Sequence, residues 1–178
     1  MEERVRVRPA VAADADLLLE WVNDPEARAA SLTPGPIERP RHVRWLDGLL
    51  ASDRAGLWIG LAGDDAGGGG GAGAERPIGQ VRVVVDEHGD GEVSVSLAEE
   101  ARGRGLSVPL LQAGLAAAAA ALPVATFVAH VRPANEPSRR LFVRAGFEPV
   151  GTVTRHDIEV LEFRRSAMAG AAPRPGPS

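Results

Sequence analysis

Between residues 78 and 131 the hydrophobic pattern changes period twice, and this switch limits the folds open to the chain more than any other feature. Ile78-Gly79-Gln80-Val81-Arg82-Val83-Val84-Val85 is rich in β-branched residues and is predicted as a strand. His88-Gly89-Asp90-Gly91 marks a turn, and Glu92-Val93-Ser94-Val95-Ser96-Leu97 alternates with period two. After Gly105 the period becomes helical: Val108, Leu111, Leu115, Ala118 and Leu122 recur at steps of three and four, with Pro109 tolerated in the first turn. Thr126-Phe127-Val128-Ala129-His130-Val131 then reads as a buried strand. An earlier strand at Leu57-Trp58-Ile59-Gly60-Leu61 makes three in succession, which implies an antiparallel meander within an α/β domain.

The flanks fit one domain over residues 1–165. Arg4-Val5-Arg6-Val7-Arg8 alternates as an edge strand that Pro9 ends. Two short helices are predicted next. Asp14 can cap the first, whose Leu17, Leu18, Trp21 and Val22 share a face until Asn23-Asp24-Pro25 breaks it. Val43, Leu46, Leu49 and Leu50 form the stripe of the second, after Pro40. Residues 64–76 include an unbroken glycine run from Gly67 and are expected to be a flexible hairpin loop, since glycine loses the most entropy on ordering. They are not read as a phosphate loop, because no helical pattern follows and no Lys or Ser/Thr stands where one is needed. Residues 135–145 read as a short helix stopped by Gly146, residues 151–163 as one or two last strands, and residues 166–178 as a disordered tail.

Composition excludes several chemistries. With no cysteine among 178 residues there is no disulfide, no thiolate nucleophile and no Cys-built metal site. No metal is expected. A net charge of −4 argues against nucleic acid, and no apolar run is long enough to span a bilayer, so no membrane partner is expected either. The N-terminal residues lack the pattern of a signal peptide, and the expected location is cytoplasmic. Every basic side chain other than histidine is Arg, and Tyr is absent. Asn is scarce, with only Asn23 and Asn135 present, which makes each a better site candidate than an ordinary Asn.

The strongest chemical signal is Arg102-Gly103-Arg104-Gly105-Leu106-Ser107, placed after a strand and opening a helix. Main-chain N–H groups at a helix start are unpaired and the helix dipole is positive there, so this turn suits a diphosphate, with Arg102 and Arg104 as added cations. A structural strand-to-helix turn is the alternative. The second signal runs from His130-Val131-Arg132-Pro133-Ala134-Asn135 through Ser138, Leu141 and Phe142 to Gly146-Phe147. Together the two resemble the GCN5-related N-acetyltransferase superfamily over about residues 92–147, with its Arg/Gln-x-x-Gly-x-Gly/Ala turn and later Asn-x-x-Ser/Ala-x-x-Leu-Tyr-x-x-x-Gly-Phe segment.

That resemblance implies a GNAT fold: a central, mostly antiparallel mixed sheet splayed between strands four and five, with helices on both faces. It implies acetyl-CoA as co-substrate, its diphosphate on the amides of Arg104 to Ser107 next to Gly103, Gly105 and Leu106. A main-chain N–H near Leu97 or Ala98 would polarise the thioester. Asn135 would bond the pantetheine arm, although an N-cap role is compatible. Ser107 departs from the usual Gly/Ala, and Phe142 stands where many members have a Tyr acid. Either Ser138 or water would then give the proton, or none is needed, since a thiolate leaves tolerably well at neutral pH.

For the base, His130 lies five residues before Asn135, where N-terminal protein acetyltransferases that this segment resembles carry a Glu, and imidazole titrates near working pH. Glu92 is the rival base. A half-buried strand histidine is the plain reading of His130. Residues 19–28 resemble the first-helix segment of the ribosomal-protein acetyltransferase branch and its amino-sugar relatives, which implies Trp21, Asn23 and Arg28 on the acceptor side. Their plain roles are core, turn and solvated cation; His42 and Trp45 pose the same choice between pocket wall and helix packing. The acceptor expected first is a small-molecule primary amine, including a nucleotide-linked amino sugar, then a protein N-terminus. A homodimer is an allowed assembly. A non-catalytic acyl-CoA-binding module is the reading from another class, favoured by the absent Tyr and opposed by the titratable His130.

Overall fold

The computed structural model describes residues 3–31, 35–63 and 75–168. β1 (Arg4–Pro9) is followed by three helices: α1 (Ala15–Asn23), α2 (Pro25–Ala30) and α3 (Arg39–Leu50). The meander follows as β2 (Ala55–Gly63), β3 (Arg76–Val85) and β4 (Asp90–Leu97). α4 (Ser107–Ala121), β5 (Thr126–Val131) and α5 (Glu136–Arg144) come next, and β6 (Glu148–Arg155) and β7 (Ile158–Ser166) close the chain as a hairpin. The sheet has seven strands in the order β1-β2-β3-β4-β5-β7-β6, all antiparallel neighbours except β4 and β5. This is the mostly antiparallel mixed sheet that the sequence resemblance implies.

Several local expectations need correction. Three helices, not two, follow β1. The break at Asn23-Asp24-Pro25 also starts a helix, since Pro25 sits in the first turn with a preset φ and Asp24 accepts the Ala27 N–H at 2.9 Å. Asp14 stands at the N-cap of α1 but makes no cap bond to it. Its carboxylate instead accepts the Val11 N–H at 2.8 Å and a two-pronged pair of bonds from Arg8 at 2.8 and 2.7 Å. β7 reaches Ser166, one residue beyond the expected domain end, and Ala167 N–H continues onto Ala125 O at 3.0 Å. The glycine run and residues 169–178 lie outside the described residues.

Alternation along β2 divides the molecule into two cores. Leu57, Ile59 and Leu61 meet Leu18, Trp21, Leu46 and Leu49 of α1 and α3. Trp58 and Ala62, with Ile78, Val81 and Val83 of β3 and Phe127, Ala129 and Val131 of β5, meet Leu110, Leu111, Leu115 and Ala118 of α4 and Phe142 of α5. Burying each of the Val, Leu, Ile and Phe side chains among them stabilises by about 1.5–3 kcal/mol. Helix α4 can sit this low because Gly60 and Gly114 lack side chains: a Cβ on Gly60 would stand 2.3 Å from Leu110 Cδ1, and one on Gly114 2.5 Å from Val81 Cβ. Helices therefore cover both faces, but α1 and α3 cover only the β1–β3 side of theirs. Among the described residues, that face is open beyond α3 over β4, β5 and β7.

Candidate active site

The parallel pairing of β4 with β5 holds for only three residue pairs, Asp90↔Thr126, Gly91↔Phe127 and Glu92↔Val128. Past Glu92 the strands part, and the last residues of β4 face a gap. Ala98 N–H donates to Ile78 O at 2.9 Å, on the β3 side. Because main-chain groups alternate in direction along a strand, Leu97 N–H points the other way, toward the gap. Of the two residues named from sequence, Leu97 is the one whose N–H is not spent on β3.

At the end of β4 the chain turns into α4. Gly103 and Gly105 have φ of +71° and +76°, and a Cβ built on either meets nothing within 4 Å. The turn is thus left-handed at two points and open on its outer side, beside the unpaired N–H groups of a 15-residue helix. Leu106 takes the N-cap position without a side-chain bond, so Ser107 does not cap α4. The two arginines are engaged elsewhere. Arg102 donates to Asp24 at 2.6 Å, Glu26 at 3.0 Å and Leu97 O at 3.3 Å, and Arg104 donates to Glu3 at 2.7 Å. A cleft of about 330 Å³ lies against this helix start, lined by Ser107, Val108 and, from α5, Pro137, Arg140, Leu141 and Arg144. Asn135 caps α5 by accepting the Ser138 N–H at 3.2 Å, which occupies its carbonyl and leaves the amide NH2. Phe142 is buried, edge-on to Phe147 and stacked on Phe163.

On the open face of β4, β5 and β7 lies a groove of about 380 Å³. His130 is at its base, its side chain 3% exposed. Nε2 is 3.2 Å from Glu162 Oε2 on β7, and Nδ1 is 3.7 Å from Glu92 Oε2 on β4. Pairing with His130, and the nearby charges of Arg155 and Arg82, hold the Glu92 carboxyl below the usual carboxylate range against the opposing effect of burial. Arg82 donates to Ser94 Oγ at 3.0 Å and lies 5.7 Å from the Trp45 ring, so α3 forms one edge of the groove. His42 sits behind Trp45, ring centroids 5.3 Å apart, and is buried. Both candidate bases, His130 and Glu92, are therefore brought together.

The acceptor residues named from the first helix are placed differently. Trp21 is buried in the α1–α3 core. Asn23 spends both ends of its amide on one residue, donating to Ile37 O at 2.8 Å and accepting from Ile37 N at 2.7 Å. Arg28 donates to Ser31 Oγ at 3.1 Å. None of the three lines the groove. Sequence reasoning missed Glu162, Arg164, Arg155 and Arg82, which do. Their only local signal is a charged residue on the same strand face as a neighbouring strand's charge, and that requires the register.

The family model for the acetyltransferase (GNAT) domain matches residues 4–148, most of the chain. The chain belongs to the GNAT family. This GNAT domain is an N-acetyltransferase, and acetyl-CoA is its co-substrate. No curated protein matches its sequence. Among solved structures it is similar to the aminoglycoside acetyltransferase AAC(6')-Ib in complex with coenzyme A and kanamycin. The TM-score is 0.73 at 21% identity, over 94% of this chain and 98% of that one. It is also similar to the spermidine N-acetyltransferase from Vibrio cholerae in complex with CoA and spermine. There the TM-score is 0.76 at 13% identity, over 92% and 96% of the two chains. At these identities the likeness is one of fold. The residues of this GNAT domain fit the co-substrate: a Cβ built on Gly103 or Gly105 meets nothing within 4 Å, and α4 opens directly beside the turn.

Proposed function

We propose that this GNAT domain acetylates a primary amine of a small molecule by direct transfer in a ternary complex, with His130 as the general base. The observation that carries the reading is the position of His130, at the base of the groove beside the splayed strands and flanked by Glu162 and Glu92. Four carboxylates line that groove, Asp86, Asp90, Glu92 and Glu162, and one of its three arginines, Arg164, is already bonded to Asp90 and Glu162. Such a lining suits a cationic amine. The solved neighbours named above, bound to kanamycin and to spermine, support the same class.

In this reading acetyl-CoA supplies an acetyl group activated as a thioester. The amides of residues 103–107 hold its diphosphate, Leu97 N–H polarises the thioester carbonyl, and the Asn135 NH2 bonds the pantetheine arm. Ser138 or water returns a proton to the departing sulfur, since Phe142 has none to give. A nucleotide-linked amino sugar remains a specific member of the acceptor class, with Arg82 and Arg155 as the groove's counterions for phosphate. A protein N-terminus is the second reading.

A thiol-release screen with acetyl-CoA against polyamines, aminoglycosides, nucleotide-linked amino sugars and short peptides tests the acceptor class. Against the amine that reacts, His130→Ala is expected to lower kcat by about 10²–10⁴-fold and to spare acetyl-CoA affinity. A near-normal kcat in that variant would move the base to Glu92 or water.

A further inference from the structure

His130 and Glu162 are register partners across the antiparallel β5–β7 ladder, so their side chains share a face. Both side chains are largely withdrawn from water, and the hydrogen bonds of the imidazole are set by protein groups. Glu162 uses its two oxygens separately: Oε1 accepts from Arg164 Nε at 2.9 Å, and Oε2 faces His130 Nε2 at 3.2 Å. Arg164 is fixed in turn by Asp90 at 2.7 Å. Arg164, and then His130, keep the Glu162 carboxyl below the usual carboxylate range. An ionised carboxylate has no hydrogen to give, so the hydrogen shared with Oε2 comes from Nε2. Neutral imidazole carries only one N–H, which leaves Nδ1 as an acceptor.

Nδ1 is buried and without a hydrogen-bond partner. Glu92 Oε2, 3.7 Å away, is too distant for a direct bond. Nδ1 is shut off from water as the groove stands, so a nitrogen reaches about 2.8–3.0 Å from both atoms only when the half-exposed Glu92 side chain turns aside to admit it. We infer that Glu162 is a positioning residue that holds His130 in its Nε2–H form, so that Nδ1 and Glu92 make a two-point clamp for a primary ammonium and Nδ1 takes its proton. The inference rests on His130 being the base, as proposed above.

The step balances. One N–H proton of the ammonium passes to Nδ1, and the freed lone pair forms the C–N bond as the C–S bond breaks. The second N–H proton reaches the departing sulfur through Ser138 or water, and the imidazolium returns its proton to solvent. The ring lies between Glu162 and Glu92 in a groove also lined by Asp86, Asp90, Arg82 from β3, Arg155 from β6 and Arg164 from β7.

The test is nitrogen-15 NMR of histidine-labelled full-length protein together with steady-state kinetics. In the wild type, above the ring's titration, the His130 hydrogen is expected on Nε2. Glu162→Gln offers one oxygen and one NH2 group. Arg164 Nε, a donor, claims the oxygen, so the NH2 faces Nε2 and the ring hydrogen moves to Nδ1. That variant should lose about 10²–10⁴-fold in kcat at unchanged acetyl-CoA affinity, and Glu162→Asp should retain the wild-type tautomer and more of the rate. A wild-type hydrogen on Nδ1 overturns the inference, as does a Glu162→Gln variant with an unmoved tautomer or an unchanged kcat. The wild-type spectrum needs neither variant nor acceptor. A failure there therefore sinks the positioning role even where amines are acetylated, whereas failure of every amine in the screen sinks the proposed function and the ammonium clamp built on it, and leaves the Nε2–H form to be read from the spectrum by itself.

Discussion

At Gly105 one missing Cβ separates an anion-binding turn from an ordinary one. Its φ of +76° is costly for any residue with a side chain and worst for a β-branched one. Gly105→Val should weaken acetyl-CoA binding by about tenfold or more, about 1.4 kcal/mol, while the fold survives because no protein atom occupies that space. Unchanged affinity by calorimetry would place the diphosphate elsewhere. His42 illustrates the opposite case, a titratable residue with a packing role. It is 2% exposed, Nε2 has no partner, and burial pushes its pKa down against smaller opposing effects of the Ala15 main chain and Asp16. An unfolded chain takes up this proton near pH 6.5 and the folded one does not, so the unfolded state binds more protons as the pH falls. The stabilising contribution is present above about pH 6.5 and is lost as the pH drops below it toward the folded-state pKa. Urea melts at pH 7 and pH 5.5 should show this loss in the wild type and a shallower one in His42→Leu. An equal slope in both would assign the loss to other groups.

At the scale of elements, α2 is six residues long and has no stability of its own. Its position comes from its neighbours. Arg102, just beyond β4, bonds Asp24 and Glu26, and Arg132, just beyond β5, donates to Ser31 O at 2.7 Å. The ends of the two splayed strands thus hold the same short helix from both sides. Arg102→Ala should therefore speed amide hydrogen exchange in α2 and leave acetyl-CoA affinity nearly unchanged. A large loss of acetyl-CoA affinity with α2 exchange unmoved would return Arg102 to the diphosphate, the role its place in the turn first implies. Strand β6 shows what position in the sheet does to a sequence: as the edge strand it is exposed almost throughout, and its partner β7 supplies both the buried Phe163 on one face and the groove's Glu162 on the other.

For the whole molecule, the sheet is what makes two cores and one open groove from a single chain. β2 and β3 pair as far as Ala62↔Arg76, so the hairpin is closed by its own ladder, whatever joins it. Deleting Gly67 to Gly70 should change stability by well under about 1 kcal/mol, because loop-closure entropy varies only logarithmically with length. A fall in the thermal midpoint of many degrees would show that those residues pack. The alternation of β3 and β4, the helical steps of α4, the glycine turn between them and the Asn135 cap were all legible in the sequence, because each is set by neighbours within about four residues. So was the family resemblance, which rests on two such local motifs. Placing β7 rather than β6 beside β5 was not legible, and with it went the pairing of His130 with Glu162, 32 residues away; nor was the separate pairing of Arg102 with Asp24, 78 residues away. Local periodicity says which face of a strand a side chain occupies. Which strand lies alongside, and in what register, is decided by the burial of both cores at once, and only the folded structure contains that.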